Sequence, residues 1–276
     1  MTPAPFSLVI AVSILCSPWG NTVIAQMRGH KDLSEPPPAA TAGMGSGVER
    51  RENIIRATGL RPQFPDGVEC TIIASPYGSP TRYDGSLRRD DRNAGLHGGM
   101  DLTLDAGTPL LAIAAGEVIA KGEGGRLEGI YLWLRHAPAD TGRPFWVFSK
   151  YQHLSVLPTL NLGDRVGVGQ VVALSGGSGT AGGHYGGAGY PHLHLTTTYG
   201  PNGEFRKMGM YGSMIKGQDA AIGDPLILYL QDIDDIEAAH SLPEGRKNVR
   251  VAVVDDAGSV HPAPGKTVWP TACRKK

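Results

Sequence analysis

Three short stretches of this chain bring together side chains that bind metals and move protons. They are HGGMD from His97 to Asp101, YQH from Tyr151 to His153, and HLH from His192 to His194. Imidazole nitrogens and a carboxylate are ordinary zinc ligands. Three of them around an ion leave the fourth tetrahedral position to water, which is the catalytic rather than the structural pattern. A histidine beside that water can hold or accept its proton. No HExxH stretch occurs, so no glutamate of that motif supplies a general base, and histidine would do that work.

These side chains need rigid carriers. Pro191 followed by a Leu- and Thr-rich run predicts a strand, on which His192 and His194 point to one face. By the same period of two, Tyr151 and His153 share a face, as do Asp101 and Asp105 in MDLTLD. Gly98 and Gly99 let the backbone turn, so that His97 and Asp101 can converge from a loop and a strand start. Around these clusters the chain reads as short apolar runs (CTIIAS, IYLWLRH, FWVFSKYQHL) separated by Gly, Asp and Pro, the texture of an all-β domain. One helix is expected after the core, in GDPLILYLQDIDDIEAAHSL, with Asp224 as N-cap and Pro225 at the first position. A second, short one is expected in ERRENIIRATGL. GSGTAG from residue 177 matches a dinucleotide fingerprint. The glycine-rich GHYGGAGYP after it cannot form the helix that holds a pyrophosphate, which excludes nucleotide binding.

The order HxxxD, YxHL and HLH resembles the lysostaphin-type (LytM) zinc metallopeptidases, which cleave peptide bonds in bacterial peptidoglycan. ASPYGSP, GTPLLAIAAGEVIAKG, GDRVGVGQVVALSG and GDPLILYL extend the resemblance over about residues 70 to 230. It implies antiparallel sheets forming an open groove (the duplicated hybrid motif), roofed by loops 77 to 96 and 176 to 190. It implies one Zn²⁺ per chain on His97, Asp101 and His194, with His153 and His192 orienting the water and stabilising the oxyanion. Members lacking these histidines act as amidase-activating modules, whereas this chain keeps all five positions. Tyr151 and His184 are candidates for lining the groove, and Asp105 for supporting the ligands. His136 reads as a surface or structural residue, and His30, His240 and His261 as solvated. Besides a wall endopeptidase, a catalytically silent wall-binding or amidase-activating module and a secreted peptidase acting on proteins fit the same residues.

The 276 residues are 41% hydrophobic and 19% charged, enough for a packed core. Thirty-nine glycines and 21 prolines point to turns and short strands, and a net charge of zero gives no electrostatic case for nucleic acid. FSLVIAVSILC, from Phe6 to Cys16, has the length of a signal-peptide core and is too short to span a bilayer. The expected organisation is a signal peptide at 1–25, a linker at 26–62, a catalytic domain at 63–232 and an extension at 233–276. Export places the protein in the periplasm or outside the cell, without stable membrane insertion once the signal is removed. Cys70 and Cys273 then remain; an oxidising compartment suits a disulfide between them, two separate thiols being the alternative.

Overall fold

The computed structural model describes residues 55–91, 93–125, 127–180, 190–209, 214–262 and 265–276. Both the export segment and most of the linker lie outside the described residues, as does His30. The described residues belong to one compact unit.

The frame is an eight-stranded antiparallel sheet. Its strands are β1 (Ile73–Ser75), β2 (Met100–Thr103), β3 (Gly116–Glu123), β4 (Ile130–His136), β5 (Trp146–Leu154), β6 (Arg165–Val166), β7 (His192–Gly200) and β8 (Ala221–Gly223). They lie in the order β1-β2-β7-β5-β4-β3-β6, with β8 pairing the far end of β7. The sheets are open, and the described residues close no barrel.

β7 shows why the sequence folds this way. Leu193, Leu195, Thr197 and Tyr199 are buried on one face, while His194, Thr196 and Thr198 are half-buried on the other. Burying one face fixes the register, because a slip of one residue would turn every leucine outward. In that register His194 stands opposite Asp101 of β2 on one side and Gln152 of β5 on the other. The apolar face packs on Leu102, Leu132, Leu134 and Tyr151, and on Leu226, Leu228 and Trp269 from the C-terminal part of the chain.

The C-terminal part differs from expectation. Asp224 does cap a turn, its carboxylate accepting from Leu226 N–H, and Pro225 occupies the first position. The chain beyond the cap makes two 3-10 turns, Pro225–Tyr229 and Ile236–Ser241, rather than one α-helix. Every residue of the first is buried, so no polar stripe is left for a continuing amphipathic helix. VRVAVVDD gives two short strands, Asn248–Arg250 and Val253–Val254, instead of one. Residues 55–60, expected to end a short helix, are not helical. Ile55, Thr58 and Leu60 are nevertheless buried, and Arg61–Gln63 pairs in parallel with Asn248–Arg250. Cys70 and Cys273 form a disulfide across 203 residues of chain, joining both ends of the packed region. Among the described residues no helix is long and apolar enough to cross a membrane.

Candidate metal centre

Asp101 lies at the start of β2 and His194 near the start of β7, as a cross-strand pair. His97 comes from the loop just before β2, and Gly99 is what lets it close in. A Cβ at Gly99 would stand 2.4 Å from Leu195 O and 2.9 Å from His194 Nε2. Thus the three side chains converge. His194 Nδ1 is 2.7 Å from Asp101 Oδ1, His97 Nε2 is 3.2 Å from the same oxygen, and the two nitrogens are 3.0 Å apart.

Hydrogen bonds fix which atom each ring presents. A backbone carbonyl only accepts, so His97 Nδ1–H donates to Pro76 O at 3.0 Å and leaves a lone pair on Nε2. For His194, Thr196 Oγ1 lies 3.0 Å from Nε2 and leaves Nδ1 facing Asp101. Asp101 Oδ2 accepts from Arg88 Nη2 at 3.3 Å, and Arg88 also donates to Ser75 Oγ at 2.8 Å. Burial alone would raise the Asp101 pKa, but the facing His97 and His194 hold it well below the usual carboxylate range. Burial pushes His194 down to about 4 against the pull of Asp101, so its imidazole is neutral near pH 7.

This donor set fits zinc. Ligand atoms about 2.0–2.1 Å from a tetrahedral ion stand about 3.3 Å from one another, close to the 2.7, 3.0 and 3.2 Å found here. Among the described residues His97, Asp101 and His194 are the one group of three or more His, Cys, Asp or Glu able to share a metal ion. Their partners (Pro76 O, Thr196 and Arg88) are the outer supports that metal ligands need.

His153 and His192 stand beside this triangle, their ring centroids 4.6 Å apart. His192 Nδ1–H donates to Tyr190 O at 2.8 Å, and its Nε2 lies 3.8 Å from Asp101 Oδ1. Tyr190 stacks on His192 and on Tyr83, forming an aromatic wall. His153 Nδ1–H donates to Ser178 O at 2.7 Å. Both rings therefore present the lone pair of Nε2. Burial, with the neighbouring His192 and His194, pushes His153 down to about 3.

Period-two alternation fails at this point. His153 has φ 63, and the β4–β5 register shifts so that Ile130 faces Leu154 and Tyr131 faces Gln152, leaving His153 as the extra residue of a bulge. Tyr151 accordingly does not line a groove. It is fully buried, its hydroxyl accepting from Ile113 N–H and donating to Leu111 O. Asp105 is exposed and supports no ligand. His136 is a core residue, with Nδ1–H donating to Ala115 O and Nε2 accepting from Ser149. His240 is half-buried, and His261 is paired with Asp255. His184 and the loop stretch 181–189 lie outside the described residues. Sequence reading missed Arg88, Ser178 and Tyr190. Only Tyr190 carried a local signal, two residues before His192.

Residues 95–205 match peptidase family M23. The matched stretch contains His97, Asp101, His153, His192 and His194. The chain is similar to the catalytic domain of lysostaphin from Staphylococcus simulans, at 25% identity and TM-score 0.33 over 45% of this chain and 77% of that one. It is also similar to a variant of the catalytic domain of the prophage-encoded M23 protein EnpA from Enterococcus faecalis (26%, TM-score 0.34, 52% and 92%). LytU gives 23% identity and TM-score 0.38 over 64% and 96%. Against whole lysostaphin the chain spans 57% of the length. No curated protein matches the sequence.

Proposed function

We propose that this chain is an exported, zinc-dependent endopeptidase that hydrolyses peptide bonds of bacterial peptidoglycan. The observation that carries the proposal is the convergence of His97 Nε2, Asp101 Oδ1 and His194 Nδ1 within 3.2 Å, flanked by two further histidines that present Nε2 lone pairs. A bound zinc ion would supply Lewis acidity to a substrate carbonyl and lower the pKa of a water toward ~7.

The chain's own residues supply the rest. His97, Asp101 and His194 would hold the ion through one carboxylate oxygen and two imidazole nitrogens. Either His153 or His192 accepts the attacking water's proton at Nε2, since its Nδ1 is committed to a backbone carbonyl. The protonated ring then has an Nε2–H to give to the departing amine. The other ring, with its Nε2 lone pair, accepts a hydrogen bond from the attacking water and orients it. Arg88 orients Asp101 through its Oδ2. The Tyr83–Tyr190 stack walls the His192 side of the site, where an extended peptide would run.

Under this reading residues 1–25 direct export, the 26–62 stretch is a spacer, and the segments flanking 63–232 close the catalytic body. The experiment is digestion of isolated sacculi by the zinc-loaded protein, followed by mass spectrometry of the muropeptides. New amino termini that vanish in His194→Ala and Asp101→Ala are expected. Protein that sediments with sacculi yet releases none would sink the reading in favour of a binding module. Cleavage of glycine-rich proteins but not muropeptides would reassign the substrate.

A further inference from the structure

A second feature lies at the opposite end of β5 from His153. Seven residue steps of strand separate Trp146 from His153, roughly 23 Å at ~3.3 Å per residue. Just before Trp146 opens a cavity of about 830 Å³ between the 141–143 turn, the 229–232 segment, the Asn248–Arg250 strand and the 262–267 segment. Its volume is that of a small-molecule site.

Its charge is unlike the rest of the molecule. The chain carries 26 basic and 26 acidic residues. Yet four cations, Arg143, Arg246, Arg250 and Lys266, line this cavity against the single carboxylate of Asp232. Asp232 pairs with Arg246 at 3.5 Å and is itself well exposed. Among the described residues Lys266 donates to a backbone carbonyl, that of Ala139, and forms no ion pair. Arg250 makes no ion pair among the described residues.

Arg143 is the anchor. It is only 8% exposed and forms no ion pair among the described residues, Asp232 and Asp234 acting on it only through space; its guanidinium donates to the Leu230 carbonyl and to Gln231 Oε1. Its Nε–H finds no acceptor among the described residues. A buried guanidinium without a directly paired carboxylate gains from an anion that comes to it. Nothing in the proposed hydrolysis uses these residues.

We propose that this cavity is a binding site for a phosphate-bearing anion, separate from the metal centre. The excess of three positive charges suits a multiply charged group better than a single carboxylate, and the planar arginine fork matches phosphate oxygens two at a time. Such a ligand would hold the protein to its surroundings while the metal centre faces the substrate from the other end of β5. Its source is either a soluble phosphate ester or the headgroup of an anionic lipid.

The test uses the zinc-loaded, disulfide-bonded protein and the exposed pair Arg246→Gln/Arg250→Gln, which leaves the core and the metal centre untouched. Pyrophosphate is titrated into both at low salt, with melting temperature and peptidase activity as controls for folding. At least tenfold weaker binding to the double variant, with activity unchanged, is expected; pyrophosphate held at the zinc is common to both proteins and cancels. Co-sedimentation with phosphatidylglycerol vesicles, but not phosphatidylcholine ones, lost in the variant, would place the phosphate on a lipid. Pyrophosphate binding without vesicle binding would make it a soluble ester. Equal affinity of the two proteins for pyrophosphate, or no binding by either, overturns the site.

Discussion

Ser178 holds His153 in place through its backbone carbonyl, 2.7 Å from His153 Nδ1, while its own hydroxyl accepts from Ile130 N–H at 2.9 Å and donates to Leu154 O at 2.6 Å. The contact is close on both sides. A Cβ at Gly129 would lie 2.1 Å from Ser178 O, and one at Gly179 would lie 2.0 Å from Gly129 N. The left-handed φ of 63 at His153 costs free energy and persists because this brace over-determines it. Ser178→Ala removes both hydroxyl anchors without touching a metal ligand. Its kcat is expected to fall roughly tenfold to a hundredfold, since small misplacements of a reacting group cost that much. Zinc content, read by atomic absorption, should stay at the wild-type value; a loss of zinc would instead make Ser178 a support of the metal.

The two kinds of histidine should separate cleanly. His153→Ala takes away a proton carrier, so activity is expected to drop by about 10²–10⁴ while zinc still binds. His194→Ala takes away a ligand, and zinc itself should be lost on mild dialysis. Equal zinc retention in the two variants would show that His194 is no ligand.

Much of the site is legible in the sequence, and the reason is local. The HLH and HGGMD spacings encode a strand face and a turn, and both survive into the fold because a buried leucine face pins the register of β7. The features that escape sequence reading depend on non-local contacts. No sequence signal marks the bulge at His153, which sends Tyr151 into the core and the histidine toward the metal centre. Arg88 reaches Asp101 from a loop 13 residues away, and Ser178 reaches His153 across 25. Helical pattern over 225–241 is overridden at its start, where Pro225–Tyr229 are buried on all sides, which a 3-10 turn satisfies and an amphipathic helix would not.

Gly99 offers a test of close approach. Gly99→Ala places a methyl group 2.4 Å from Leu195 O, and neither that backbone nor the ring of His194 can yield without opening the triangle. Overpacking of this kind costs about 1–3 kcal/mol. The larger effect is expected on zinc affinity, read by competition with a chromogenic chelator. A variant that is destabilised but binds zinc as tightly as wild type would show that β2 and β7 can separate without disturbing the ligands.

Two buried groups outside the ligand triangle should set opposite pH dependences on the stability of the metal-free protein. Burial holds His136 down at about 4, whereas in the unfolded chain it titrates near 6.5. The unfolded state therefore takes up its proton first, and this contribution is full above pH 6.5 and lost as pH falls toward 4, roughly 3 kcal/mol in all. Asp224 runs the other way. Burial raises it to about 6 from 3.8, against the hydrogen bonds of Thr58 and Leu226 N–H, so its ionisation works against folding above pH 6 and the penalty disappears as pH falls through 6 toward 4. The two effects mask each other in the wild type. Urea melts from pH 7 to pH 4 should separate them: His136→Gln flattens the acid-side loss, and Asp224→Asn, which keeps an oxygen for Leu226 N–H, steepens the fall and is the more stable protein at pH 7. Parallel stability curves for Asp224→Asn and wild type would mean that the Asp224 carboxylate titrates at its ordinary value, and that Thr58 and the turn's N–H groups already compensate its burial in full.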